Sequence, residues 1–262
     1  MATKNEINRR ESWILENLLR TGTLTVDEVC SEFNISVATA RRDLEALEQR
    51  GRLRRTHGGA ISIEPLLYEA FSHASSFREQ VERLADEKRR IAMAAAEMIN
   101  DGDTIALTPG TTTTPIARGL HSHKSLMVVT NTVNVAMELA NHPGVSVFVT
   151  GGFLHGGWFS LVGQSAIDSM QGIFVDKVFI GANGFHAERG ATAFHPDEAA
   201  LNRVMIAQAR ERIVVADHTK LGVLATHLFC PIKDVHHLIT DSGATDEMLA
   251  GFIEKGIDAR KV

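Results

Sequence analysis

Cysteine is nearly missing from this chain: 262 residues carry only Cys30 and Cys230. The two are isolated. They have neither metal-ligand spacing nor the density of a disulfide scaffold, and they point to a reducing cytoplasm. No run of about 18 uninterrupted apolar residues is present, so no membrane span is expected. No N-terminal apolar run reads as a signal peptide, and internal repeats and low-complexity tracts are lacking. His121 with His123, and His236 with His237, have no supporting cluster of further ligands, so no metal is assigned, and no cofactor. No loop ends in Gly-Lys-Ser/Thr, which excludes a Walker-type phosphate loop. Positive charge is not in excess either, since the net charge is −5.

The remaining composition is that of an ordinary globular protein, 44% apolar and 23% charged, at a length that suits two domains. The charge is unevenly placed. Residues 1–60 hold ten Lys or Arg against nine Asp or Glu, and residues 61–262 hold 17 against 23. Within the first part, Ser36 to Gly59 concentrates six Arg against three acids. A basic face of that modest strength makes few phosphate contacts per protomer, so affinity for nucleic acid has to come from more than one head.

Residues 25–53 predict two short helices joined by a tight turn. Thr25 is an N-cap with Glu28 as its capping-box partner, and Val26, Val29 and Phe33 point inward at helical spacing. Asn34 and Ile35 make the turn. Ser36 caps the second helix, which is expected to bury Val37, Ala40, Leu44 and Leu47. Its first two turns then present Ser36, Ala38, Thr39, Arg41 and Arg42 outward. Small residues permit close approach to the major groove, and hydroxyls and arginines meet base edges or phosphates. Gly51 is expected to close the helix. Arg52 to Ala60 then forms a basic hairpin with a flexible tip, a wing for the phosphate backbone. A helix over residues 8–21, with Trp13, Ile14, Leu18 and Leu19 inward, completes the head. The expected DNA-binding residues are Thr25, Ser36, Ala38, Thr39, Arg41, Arg42, Arg54, Arg55, His57 and Gly58.

Ile35-Ser36, Thr39-Ala40-Arg41-Arg42-Asp43-Leu44 and Arg55-Thr56-His57-Gly58-Gly59-Ala60 resemble the DNA-binding signature of the DeoR family of bacterial repressors. That family usually has a larger aliphatic where this chain has Ala40, a core position away from the reading face.

Residues 62–76 read as a linker, although Leu66, Leu67, Tyr68 and Phe71 make it apolar. One long helix is expected over Phe77–Asn100, with Leu84, Ile91, Ala95, Met98 and Ile99 as its stripe. After it, apolar strands at 104–107, 126–130, 145–150, 177–180, 212–216 and 237–240 alternate with helices at 113–120, 132–141, 164–170, 197–209 and 245–255. Apolar strands separated by helices argue a mostly parallel sheet covered on both faces, with ligands at the carboxyl ends of its strands. The loops at those ends are polar or glycine-rich: Thr108 to Thr114, Thr130 to Thr132, Thr150 to Gly152, Gly181 to Gly184, Asp197-Glu198, and Asp217 to Lys220. The threonine run offers hydroxyls and successive amides at a helix start, a site for an anion.

Residues 76–242 resemble the DeoR family sensor domain, which is similar to the fold of ribose-5-phosphate isomerase and glucosamine-6-phosphate deaminase. The resemblance implies a phosphorylated sugar or related metabolite as effector. By position it places the phosphate at Thr108, Gly110, Thr111, Thr112 and Thr113, with Lys220 nearby. Asn131, Gly151, Gly152, Asn183, Gly184 and Glu198 would face the rest of the ligand. The family usually has Asp-Ser where this chain has Thr108-Pro109, which removes a carboxylate and one amide donor and points to an unusual effector. Trp158, His155, His186 and His195 lie near the same edge.

The expected class is therefore α/β: an N-terminal winged helix-turn-helix domain over 1–61, a linker over 62–76, and a mostly parallel, ribose-5-phosphate isomerase-like effector-binding and oligomerisation domain over 77–262. The expected function is a cytoplasmic transcriptional repressor, not an enzyme, that binds double-stranded operator DNA as a dimer or tetramer. The alternative is a sugar-phosphate isomerase or deaminase carrying a DNA-binding head, with Glu198, Asp217 and Lys220 as acid, base and phosphate clamp.

Overall fold

The computed structural model describes residues 4–50, 52–62, 75–155 and 157–262. Gly51, residues 63–74 of the expected linker, and the side chain of Leu19 lie outside the described residues. The chain divides into two units, Met1–His73 and Ala74–Val262.

The first unit runs α1 (Lys4–Thr21), β1 (Thr23–Thr25), α2 (Val26–Phe33), α3 (Val37–Gln49), β2 (Leu53–Thr56) and β3 (Gly59–Ser62). Both helix starts are fixed by their own side chains. The Glu28 N–H donates to Thr25 Oγ1 at 3.2 Å, and Glu28 Oε2 accepts from the Thr25 N–H at 2.7 Å. Ser36 Oγ accepts from the Thr39 N–H. Asn34 turns the chain between them in the left-handed region, at φ 49°, which asparagine tolerates better than most residues. Ile14, Leu18, Val29, Ala40, Leu44, Leu47 and Leu53 make the core, and Trp13 meets Phe33 edge-on at 5.3 Å.

Val37, expected inside, is 44% exposed. It opens α3, and the first turn of that helix projects past the core. The strands add an antiparallel sheet of order β1-β3-β2, whose first member, three residues long, carried no periodic signal in the sequence. A Cβ on Gly59 would lie 1.9 Å from the Leu24 carbonyl oxygen, so glycine is what lets β3 pair with β1.

The second unit opens with α4 (Ser75–Glu82) and α5 (Ala85–Ala96). The single helix expected over Phe77–Asn100 is therefore two, and it ends four residues early. The break has a physical cause. Leu84 adopts φ 54°, and the buried Lys88 sends its ammonium back to the carbonyls of Gln80 and Arg83, closing the end of α4 instead of letting it continue.

The order then runs β4 (Thr104–Leu107), α6 (Thr114–Arg118), β5 (Leu126–Thr130), α7 (Val133–Leu139), β6 (Val145–Val149), β7 (Phe153–His155), β8 (Ser160–Val162), α8 (Gln164–Ser169) and β9 (Val175–Ile180). It continues with β10 (Gly184–His186), β11 (Gly190–Ala193), α9 (Pro196–Ala207), β12 (Ala209–Val215), β13 (His227–Pro231), β14 (His237–Thr240), α10 (Asp246–Glu254) and β15 (Asp258–Lys261). Seven strands form one sheet of order β15-β14-β12-β9-β4-β5-β6, and every pairing in it is parallel.

Alternation along the strands fills both faces. Ile105, Leu107, Val128, Phe179 and Ile213 pack with α5, α6 and α7 on one side. Ala106, Val129, Val178, Ile180 and Val214 pack with α9 and α10 on the other. Strand order reverses between β4 and β9, because β5 and β6 extend one way and β12, β14 and β15 the other. That reversal opens a crevice at the strand ends. The short strands β7, β8, β10, β11, β13 and β15 were not foreseen; unlike the central strands of the sheet, they are not runs of apolar residues. No helix among the described residues is long and apolar enough to cross a membrane.

Candidate functional site

The first candidate is the outer face of α3 with the wing. Ser36, Ala38, Arg41 and Arg42 are exposed and Thr39 half-buried. Ser36 Oγ and Thr39 Oγ1 sit 3.0 Å apart. Among the described residues, no carboxylate pairs with Arg41, Arg42 or Arg54. Asp43, next in sequence, faces the other way: its carboxylate takes Arg10 Nε at 2.7 Å and Nη2 at 3.2 Å, tying α3 to α1. Arg55 is held by Glu48, through its N–H at 2.8 Å and its Nε at 2.9 Å, which fixes the base of the wing. At the tip, His57 is exposed, and a Cβ on Gly58 would meet nothing within 4 Å. Thr25 is exposed too, but its hydroxyl is engaged by Glu28 in the capping box.

The second candidate is a cavity of about 160 Å³ at the sheet's switch point, where the loops after β4, β9 and β12 come together. Gly110, Thr111, Thr112, Asn183, Glu198 and Lys220 of the expected set line it. The threonine run divides its labour. Thr113 Oγ1 donates to the carbonyls of Thr108 (2.7 Å) and Gly110 (3.0 Å), and Thr114 Oγ1 donates to that of Gly110 (2.8 Å). Thr108 Oγ1 accepts from the Gly181 N–H at 2.9 Å, clamping the β4 exit to the β9 exit. These three hydroxyls hold the loop, which leaves Thr111 and Thr112 to face the cavity. The helix that follows has only five residues, too short for a strong dipole, so hydroxyls, amides and the Lys220 amine carry any affinity for an anion.

Other expected residues sit behind the wall. Asn131 Nδ2 donates to the Leu161 carbonyl at 3.0 Å and anchors β8. Gly152 has φ 122°, and a Cβ there would come within 2.4 Å of the Val162 carbonyl oxygen; at Gly184 the clash would be with Val223 at 2.5 Å. Neither Gly152 nor Gly184 is a lining residue, and nor is Gly151. Asp217 is buried and accepts from the N–H and hydroxyl of Thr219, so it caps the turn that presents Lys220. The rings of His155 and His195 lie 4.8 Å apart, tilted by 54°, outside the cavity lining.

Glu198 stands in the first turn of α9 without a donor among the described residues, and burial pushes its carboxyl up to about 7. Burial outweighs the helix start, which would favour the charged form. Asn202, one turn further along α9, also lines the cavity; its helical spacing from Glu198 was the available signal. Ala182, in the loop after β9 that the sequence marked, lines it too; Gln80, Ala193 and Phe194 line it as well, and no pattern in the sequence marks them.

Models of known families match over most of this chain. The DeoR-like helix-turn-helix domain covers residues 10–65 and the DeoR C terminal sensor domain residues 83–242. Among relatives, the HTH-type transcriptional regulator GolR of Listeria innocua is 30% identical over 96% of this chain and 97% of its own length. The HTH-type transcriptional repressor GlcR of Bacillus subtilis is 33% identical over 87% and 86%. The transcriptional repressor AccR of Agrobacterium fabrum is 34% identical over 91% of each. A solved ribose 5-phosphate isomerase from Methanocaldococcus jannaschii covers 52% of this chain and 54% of its own, at 17% identity and a TM-score of 0.39; likeness at that level says nothing of function. With an unpaired arginine face on a capped helix pair, a parallel α/β body, and both family models matched in order, the chain belongs to the DeoR family of HTH-type transcriptional regulators.

Proposed function

We propose that the chain represses transcription from an operator that it binds in the cytoplasm as a homodimer or homotetramer. Release then follows when a phosphorylated sugar or related metabolite enters the cavity of its second unit. The observation that carries this reading is one chain holding both Arg41 and Arg42 unpaired on an exposed helix face and a polar cavity at a sheet switch point. In this reading Ser36, Ala38, Thr39, Arg41 and Arg42 meet the major groove, and Arg54, Arg55, His57 and Gly58 meet the backbone. Thr111, Thr112 and Lys220 meet the effector's phosphate on a loop stiffened by Thr108 and Thr113. Asn183, Glu198 and Asn202 meet the rest of it.

The energetic requirement is definite. The effector must bind the DNA-incompetent arrangement more tightly, by about 1.4 kcal/mol for each tenfold loss of operator affinity. A gel shift with the upstream region of the gene, with and without phosphorylated sugars, tests it; no specific shift at that region would overturn the reading.

One observation favours a second reading. A carboxyl held near 7 is a serviceable general acid or base, as in an isomerase. Against it, Asp217 is occupied by its own turn and offers no partner in proton transfer. Turnover of pentose or hexose phosphates by the purified protein would decide for the enzyme.

A further inference from the structure

The cavity wall formed by α9 and its approach is short of hydrogen-bond donors. Glu198 receives none from the described residues, and burial is the one influence raising its proton affinity. Lys220 lines the same cavity yet forms no ion pair with it. Asn202 is 2% exposed, and its Oδ1 is enclosed without a partner. Two aromatic rings complete this part of the lining, those of Trp158 and Phe194. Phe194 precedes Glu198 by four residues and is pinned by its N–H to Asn183 Oδ1 at 3.2 Å.

A desolvated carboxyl and an amide oxygen without a donor, beside two aromatic residues, together favour a cationic ligand group. A ligand hydroxyl would satisfy one acceptor and leave the carboxyl uncompensated. A primary ammonium brings three donors and a full charge, enough for Glu198 and Asn202 at once.

We propose that Glu198, Asn202, Trp158 and Phe194 form an ammonium subsite, so that the effector is a phosphate ester that also carries a primary amine. The proposal rests on reading the cavity as the effector site. Lys220 with Thr111 and Thr112 takes the phosphate, and the α9 wall takes the amine. Because the ammonium favours the ionised carboxylate, binding near pH 7 drives a proton from Glu198 into the buffer.

Calorimetry on the full chain tests this with matched esters: glucosamine 6-phosphate against glucose 6-phosphate, and ethanolamine phosphate against glycol phosphate, with inorganic phosphate alone as the reference. The expected result is at least tenfold tighter binding of the amine-bearing member of a pair. That preference is lost in Glu198→Gln, and the native protein releases protons, seen as a binding heat that depends on the buffer's ionisation enthalpy. The comparison on the native protein stands by itself should the variant fail to fold. Equal or tighter binding of the hydroxyl member overturns the ammonium subsite and leaves the effector cavity standing. Binding of neither pair nor of phosphate overturns the effector cavity, and the subsite with it.

Discussion

Asp43→Ala is expected to unfold the DNA-binding head rather than merely weaken its grip on DNA. The residue lies in the run Arg41-Arg42-Asp43, where the neighbouring arginines face solvent, yet its carboxylate is bidentate to Arg10. The two side chains are 12% and 8% exposed. Removing the carboxylate leaves a guanidinium enclosed without its counter-charge, which costs about 3–5 kcal/mol for a buried pair. A head of some 60 residues has roughly 3–9 kcal/mol of stability at about 0.05–0.15 kcal/mol per residue. The variant head is therefore marginal or unfolded at 37 °C. Urea titration of the full chain, followed by Trp13 fluorescence, should show the head's transition moved to lower denaturant while the second unit's transition stays in place. The double variant Arg10→Met with Asp43→Leu, which removes both charges and keeps apolar volume, should recover most of the loss. If Asp43→Ala melts with the native protein, the pair is effectively solvated and the reasoning from burial fails.

Arg42→Ala should weaken operator binding by about 1–3 kcal/mol per engaged head without moving either unfolding transition; unchanged affinity in a gel shift would take Arg42 off the reading face. Thr112→Ala should leave operator binding intact and reduce release by phosphorylated metabolites, because Thr112 lines the cavity while the hydroxyls of Thr113 and Thr114 hold the loop; normal release in a reporter assay would show that the phosphate sits elsewhere. For Glu198, the folded-state value near 7 exceeds the unfolded 4.5, so the folded state keeps the proton longer and stability falls as pH rises between those values. Glu198→Gln should therefore melt with the native protein near pH 4.5 and above it at pH 8, and parallel melting curves across that range would contradict a desolvated carboxyl.

The sequence by itself determined what depends on neighbours a few residues away. Thr25 with Glu28 and Ser36 before Val37 set two helix starts, because capping needs only a side chain and the amides of the next turn. The apolar strands from Thr104 to Thr240 announced a sheet buried on both faces, because a run that is apolar at successive positions leaves neither face for water. Tertiary structure decided whatever depends on distant partners. Asp43 is turned from the reading face by a guanidinium 33 residues away. Asn131 is drawn behind the cavity by a carbonyl 30 residues on, and the Thr108 hydroxyl is taken by the Gly181 N–H, 73 residues away. Side-chain type fixes what a residue can donate or accept; only the folded chain fixes what remains for it to meet.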